Sequence, residues 1–376
     1  MRKFIRFTAV AACSFFSGPI VMAADCPDRQ ATSQLAGAMI VAGFFGTKTS
    51  DPGFQRILSD LERGLIGGVL ILGRNIGNRQ DLDQMTRQIS ACKCRSTPFV
   101  AVDEEGGTIQ RLGRNVGLEE TPSASKIAQE SVASARKTYG SLAQKLSSLH
   151  FNMNLGPVVD LDRNPNNPVI GRLHRSFGSD ATTVATYAAT FIWEHRKQRI
   201  ITVLKHFPGH GSSSVDSHDG VADVTHSWSS DELKPFKRLI DLGLADAIMV
   251  GHLANTTKWG GVATQSGAHA IDGLLRAELR YEGVVMTDDL AMRAVTNNRN
   301  SASAAAIEAI KAGADVVIVS RLNDDDQAAD VGSNINEAIT SAACSNEIGV
   351  AALKRSAKRV DRLKALWLRP HRRENR

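Results

Sequence analysis

The sequence predicts an α/β chain folded as a single (β/α)₈ barrel of the TIM type, and three observations predict it. Eight short apolar runs, several rich in Val and Ile, alternate with longer helical patterns from Gln34 onward. No long linker, internal repeat or low-complexity segment divides the 376 residues, a length that α/β barrels reach as one domain. The polar and titratable clusters fall directly after the apolar runs, at the strand ends where a barrel presents its chemistry.

Taken in order, the strands are expected near Met39–Phe44, Val69–Leu72, Phe99–Val102, Phe151–Val159, Ile201–Leu204, Ile248–Val250, Val284–Met286 and Val316–Val319. Helical patterns lie between them at Phe54–Arg63, Asp81–Ala91, Ser125–Leu149, Thr182–Arg196, Ser230–Leu242, Ala270–Leu279 and Ser303–Ala312. Ala351–Leu366 reads as a closing helix, which bounds the barrel domain at 25–368 and leaves a basic tail at 369–376. Hydrophobic residues make up 42% and charged residues 22%, as in a soluble globule with ample core. Aromatics are only 5%, so aliphatic side chains must fill the interior.

Residues 1–24 read as a secretory signal. MRKFIR is its charged start, Phe7 to Met22 its apolar stretch, and Val21-Met22-Ala23 or Met22-Ala23-Ala24 a small-residue cleavage site. An uncleaved anchor, or lipidation at Cys13 within Val10-Ala11-Ala12-Cys13, are the other readings of this leader. Removing Arg2, Lys3 and Arg6 with it lowers the formal charge from +6 to +3, too small a surplus to imply nucleic acid. Cys26, Cys92, Cys94 and Cys344 then remain, an even number that fits an oxidising compartment and structural disulfides. Cys92 and Cys94 just precede the third strand, and Cys26 and Cys344 flank the barrel. At least one disulfide is therefore expected at the end opposite the strand C-termini.

The densest chemistry lies in Lys205–His218, KHFPGHGSSSVDSH, which carries a cation, three imidazoles and a carboxylate on a loop shaped by Gly209, Gly211 and Pro208. Other strand ends add Asp103-Glu104-Glu105-Gly106-Gly107 with Gln110 and Arg111, Gly251-His252, and Thr287-Asp288-Asp289. Asp103 and Asp288 directly follow apolar runs and should point into the barrel mouth, whereas Asp289 could serve as a helix cap. An anionic carboxylate facing a proton donor suits displacement at an acetal carbon, the chemistry of glycosides. Asp288 could attack the anomeric carbon and His218 protonate the leaving oxygen, with Asp216 supporting the charged imidazole. Lys205, Arg111, Asp103 and Arg175 could hold sugar hydroxyls by directional hydrogen bonds. His206, His210, Asp216 and His218 could instead ligate a metal, the pattern of a metal-dependent hydrolase. A noncatalytic sugar-binding protein is the nonenzymatic reading.

Four blocks resemble glycoside hydrolase family 3, and within it the single-domain bacterial β-N-acetylhexosaminidases. They are DEEGGTIQR (Asp103–Arg111), VIGRLHRSFG (Val169–Gly178), Lys205–His218, and LLRAELRYEGVVMTDDLAM (Leu274–Met292). The resemblance implies Asp288 as nucleophile, Asp216 and His218 as the acid/base pair, and sugar contacts from Asp103, Arg111, Lys205 and His206. Arg175 matches a further contact, with Arg172 its rival because Leu173-His174 are two extra residues. The implied activity is a retaining exo-hydrolase that removes terminal β-linked N-acetylglucosamine from muropeptide fragments, with a phosphorylase or transglycosylase using the same intermediate as the alternative. The implied partner is a small carbohydrate, with no nucleic acid, no metal and no organic cofactor. The chain is expected to be a periplasmic or secreted monomer, with no stable membrane insertion once the leader is cleaved. The leader departs from the cytoplasmic recycling enzymes of the family.

Overall fold

The computed structural model describes Cys26, residues 28–216, 220–265, 269–292, Val295, and residues 301–321 and 330–368. The leader at 1–24, the tail at 369–376 and His218 lie outside the described residues.

Eight parallel strands close a barrel. They are β1 (Ile40–Ala42), β2 (Gly68–Ile71), β3 (Phe99–Val102), β4 (Met153–Asn154), β5 (Ile201–Phe207), β6 (Ala247–Val250), β7 (Val284–Asp289) and β8 (Val316–Val319). Each pairs with the next in sequence, and β1 closes on β8 with Ile40 opposite Val317. Eight strand–helix units are the arrangement that the spacing of apolar runs predicts.

Four elements differ most from the sequence reading, each for a local reason. The run at Phe151–Val159 is a regular strand only at Met153–Asn154. Pro157 has no N–H for the ladder, and pairing resumes at Val158 opposite Lys205. Conversely, β5 and β7 outlast their apolar runs, because backbone pairing continues to Phe207 and Asp289 after the side chains turn polar. Lys205 and His206 therefore sit on a strand rather than on the loop that follows. The stretch Ser125–Leu149 splits into helices at Ala124–Ile127 and Val132–Ser148. Ser131 starts the second by accepting the Ser134 N–H at 3.2 Å.

Side chains on a barrel strand alternate between the interior and the helix layer. Phe99 and Ala101, Ile201 and Val203, and Val284 and Met286 share one interior cluster, whereas Val100, Val102, Leu204 and Val285 pack under the helices. The helix Val350–Trp367 stoppers the N-terminal end: Val360 and Leu363 join the interior cluster, and Lys364 Nζ donates to the Gly67 carbonyl at 3.0 Å. The opposite, C-terminal end carries the polar strand ends.

Cys26 is bonded to Cys344, and Cys92 to Cys94. Cys344 ends the helix Val331–Cys344 that returns from β8, so the first bond ties the chain ends at the stoppered end of the barrel. It links residues 318 apart. Replacing both Cys26 and Cys344 by Ser should cost about 2–4 kcal/mol by freeing the unfolded chain. Urea melts of the oxidised protein and the variant would measure this, and coincident melts would contradict it.

Candidate active site

The alternation that buries Ala101, Val203 and Met286 places the next inward positions at Asp103, Lys205 and Asp288. These three therefore emerge together at the barrel mouth. Lys205 Nζ lies 2.8 Å from Asp103 Oδ1 and 2.6 Å from Glu105 Oε1. Glu105 is gripped from its other side by Arg175, whose Nε donates to Oε2 and Nη2 to Oε1, both at 2.8 Å. Arg175 Nη1 donates to the Val169 carbonyl at 3.1 Å. Two cations and two anions thus form a neutral set, buried except at Asp103, the form in which buried charge is tolerable.

Burial alone would raise the Glu105 pKa, but Arg175 and Lys205 outweigh it and hold the carboxyl well below its ordinary value. Burial would lower Lys205, and Asp103 with Glu105 reverse this and keep it charged. Asp103 is the accessible end of the set, its side chain 19% exposed against 3% for Lys205. It is the member placed to accept hydrogen bonds from a ligand's hydroxyls.

A second pair supports the first. His206 Nδ1 is 2.7 Å from Asp160 Oδ2, and Asp160 also accepts the His210 backbone N–H at 2.8 Å. Burial would raise Asp160, yet His206 and His210 hold it below its usual value. His206 Nδ1 thus faces the Asp160 carboxylate, and its Nε2 lies 3.4 Å from Arg175 Nη2. The loop beyond β5 is pinned from several sides. Trp228 Nε1 donates to the Pro208 carbonyl at 3.0 Å, Asn167 Nδ2 to the His210 carbonyl at 2.7 Å, and the Gly211 N–H to Glu232 Oε2 at 2.9 Å. A Cβ on Gly211 would lie 1.7 Å from the Leu161 carbonyl oxygen, so only glycine lets the loop pass. The described chain follows this loop to a half-buried Asp216.

Asp288 is half-buried at the end of β7. Burial would raise its pKa, but His206, His252, the Asp289 N–H and Lys205 together hold it below the ordinary carboxylate value. The neighbouring carboxylate does different work. Asp289 Oδ1 accepts the N–H groups of Ala291 at 3.0 Å and Ser320 at 2.9 Å, tying the end of β7 to the end of β8, and burial raises its pKa. One carboxylate is presented to the mouth as an anion and the other is spent on the backbone.

Residues 53–363 match the N-terminal domain of glycosyl hydrolase family 3. The chain belongs to that family. It is similar to β-hexosaminidase A from Pseudoalteromonas piscicida, 30% identical over 275 residues, which are 68% of this chain and 46% of that protein. It is also similar to β-hexosaminidase LpqI from Mycobacterium tuberculosis, 33% identical over 264 residues, or 67% of this chain and 66% of that one. A solved family 3 β-N-acetylglucosaminidase from Paenibacillus superposes with a TM-score of 0.79 at 28% identity, over 89% of this chain and 62% of the other. The chain thus spans about half to two thirds of the length of these relatives.

Within the family frame, Asp103, Lys205, Arg175, His206 and Asp288 come together at the mouth. Arg172 is exposed while Arg175 is buried against Glu105, which places Arg175 rather than its rival in the cluster. The Arg111 N–H donates to Glu104 Oε2 at 2.8 Å, and its Nε is buried without a hydrogen-bond partner among the described residues. Glu105 and Asp160 are the members that sequence reasoning did not assign. Both are strand-end carboxylates, the signal that singled out Asp103, but their partners come from distant segments.

Glu232, fully buried beneath the loop, has its pKa raised to about 7, chiefly by burial. An unfolded glutamate titrates near ~4.3. Between those values the native state holds a proton that the unfolded chain releases, so stability falls as pH rises through this window and is level above it. Glu232→Gln should abolish that fall, giving the variant a relative gain of roughly 2–3 kcal/mol between pH ~5 and ~8. Urea melts at both pH values decide it; parallel pH dependence in the two proteins would show that Glu232 does not titrate in this range.

Proposed function

We propose that the chain is a retaining exo-β-N-acetylglucosaminidase that hydrolyses terminal β-linked N-acetylglucosamine, taken from peptidoglycan fragments after export through the leader. The observation that carries the reading is Asp288 at the inward-facing end of β7, its carboxyl held below the ordinary value by the charges of His206, His252 and Lys205 and by the Asp289 N–H. Asp103 and Lys205, with His206 and Arg111, bind the terminal sugar; Arg175 contributes by fixing Glu105 and hence Lys205. Asp288 attacks the anomeric carbon as the bond to the aglycone oxygen breaks, and His218, oriented by Asp216, gives that oxygen a proton. Water then attacks the glycosyl–Asp288 ester, His218 takes its proton, and the sugar leaves with β configuration. The names of the relatives support the sugar class, and the anionic carboxylate supports the covalent route.

A panel of aryl β-glycosides tests the proposal, with the anomer formed first read by NMR. Turnover of the N-acetylglucosaminide well above the glucoside, with the β anomer first, is the expected result. Absence of turnover, or the α anomer first, would refute it. Accumulation of a sugar phosphate when inorganic phosphate is added would reassign the chain as a phosphorylase.

A further inference from the structure

The stoppered end of the barrel carries a feature that the hydrolysis of a sugar does not use. Along the helix Val350–Trp367, Arg355, Lys358 and Arg362 are exposed and recur at helical spacing on one stripe, which continues into Leu366 and Trp367. The stripe borders a cavity of about 600 Å³ against the start of β7. Arg196 stands across it, with its guanidinium 4.8 Å from the Trp367 ring centroid and 5.6 Å from that of Trp193. Arg196 is paired with Asp246 at 2.7 Å, and Arg359 with Asp315 at 2.9 Å. Arg355, Lys358 and Arg362 have no carboxylate partner among the described residues.

Apolar exposure gathers at the same place. Among the described residues six large hydrophobic side chains are exposed, and three of them lie at this end of the barrel: Trp193 (53%), Leu242 (60%) and Leu366 (65%). Leu242 adjoins Gly243, whose carbonyl accepts from Arg196 Nη2 at 2.8 Å. Unpaired cations interleaved with exposed tryptophan and leucine match an interface that is anionic outside and apolar beneath. A soluble polyanion would need only the cations. Among the described residues no helix is long and apolar enough to cross a membrane.

We infer that this end of the barrel docks on an anionic lipid bilayer, with Arg355, Lys358 and Arg362 at the headgroups and Trp193, Leu242 and Leu366 seated below them. The active-site mouth is at the opposite end, so docking turns it away from the lipid and towards soluble substrate.

Co-sedimentation of the full chain with vesicles tests this, using phosphatidylcholine alone or mixed about equally with phosphatidylglycerol. The protein is expected to bind the mixed vesicles, to dissociate at high salt, and to leave phosphatidylcholine vesicles unbound. The triple variant R355E/K358E/R362E should weaken binding by about tenfold or more. Trp193→Ser and Leu366→Ser should each weaken it severalfold, with the blue shift of tryptophan emission reduced. Circular dichroism melts confirm that the variants are folded. Absence of binding, equal binding to neutral vesicles, or binding that survives the triple reversal would overturn the inference. Undiminished binding by both serine variants, with equal capture of soluble polyphosphate, would overturn it in favour of a polyanion site.

Discussion

Replacing Asp288 with Ala is expected to lower kcat on an aryl β-N-acetylglucosaminide by on the order of 10⁴-fold or more, with the fold intact. The reason is positional and electrostatic. Asp288 follows Met286 on the inward face of β7, so its carboxylate looks into the mouth and fills no core volume. Burial opposes its charge, and His206, His252, the Asp289 N–H and Lys205 more than restore it. A nucleophile held below the ordinary carboxylate pKa stays ionised at neutral pH, so it should not set a limb of the rate profile near neutrality. Asp289 offers the internal contrast. Asp289→Asn keeps an acceptor for Ala291 and Ser320 and should leave much of kcat, whereas Asp289→Ala strands two N–H groups and should cost about 1–3 kcal/mol of stability. A 2-deoxy-2-fluoro or 5-fluoro sugar with a good leaving group should label the Asp288 peptide. Label on another carboxylate would transfer the role and end the assignment.

The barrel was legible because its strands are short apolar runs at regular spacing, and the mouth because Asp103, Lys205 and Asp288 directly follow such runs. What local pattern could not convey is pairing at a distance. Glu105 matters because Arg175, which lies 70 residues on, closes on it bidentately, and Asp160 because His206, 46 residues on, donates to it. Such contacts exist only after the barrel closes, and a carboxylate on its own reads equally well as a surface cap. Arg175 shows the same limit from the other side: its residue type suggested a polar contact at the mouth, but nothing local told that its guanidinium would also grip Glu105 and the Val169 carbonyl. The boundary of β4 failed for a different reason. Apolarity continues across Gly156-Pro157, and the sequence pattern registers side chains better than missing N–H groups.

His218→Ala is expected to separate substrates by leaving group, and Asp216→Ala to give a weaker form of the same pattern. A free imidazole titrates near ~6.5 and would be only partly protonated at neutral pH. Asp216, two residues away, can accept a hydrogen bond from one ring nitrogen and favour the charged form. Substrates with poor leaving groups need that proton in the first step and should slow severely, by about 10²–10⁴-fold. Aryl glycosides with acidic phenols leave without it, so their first step should be nearly spared and an initial burst should appear. The second step still needs a base for water, and the glycosyl–Asp288 ester should accumulate. Azide requires no base and should restore turnover by forming the β-glycosyl azide, the configuration that two inversions at carbon produce. Asp216→Ala removes support rather than the proton itself, which makes its dependence on leaving group shallower and its azide rescue smaller. Uniform slowing across leaving groups with no azide product would show that His218 orders the loop and does not carry the proton.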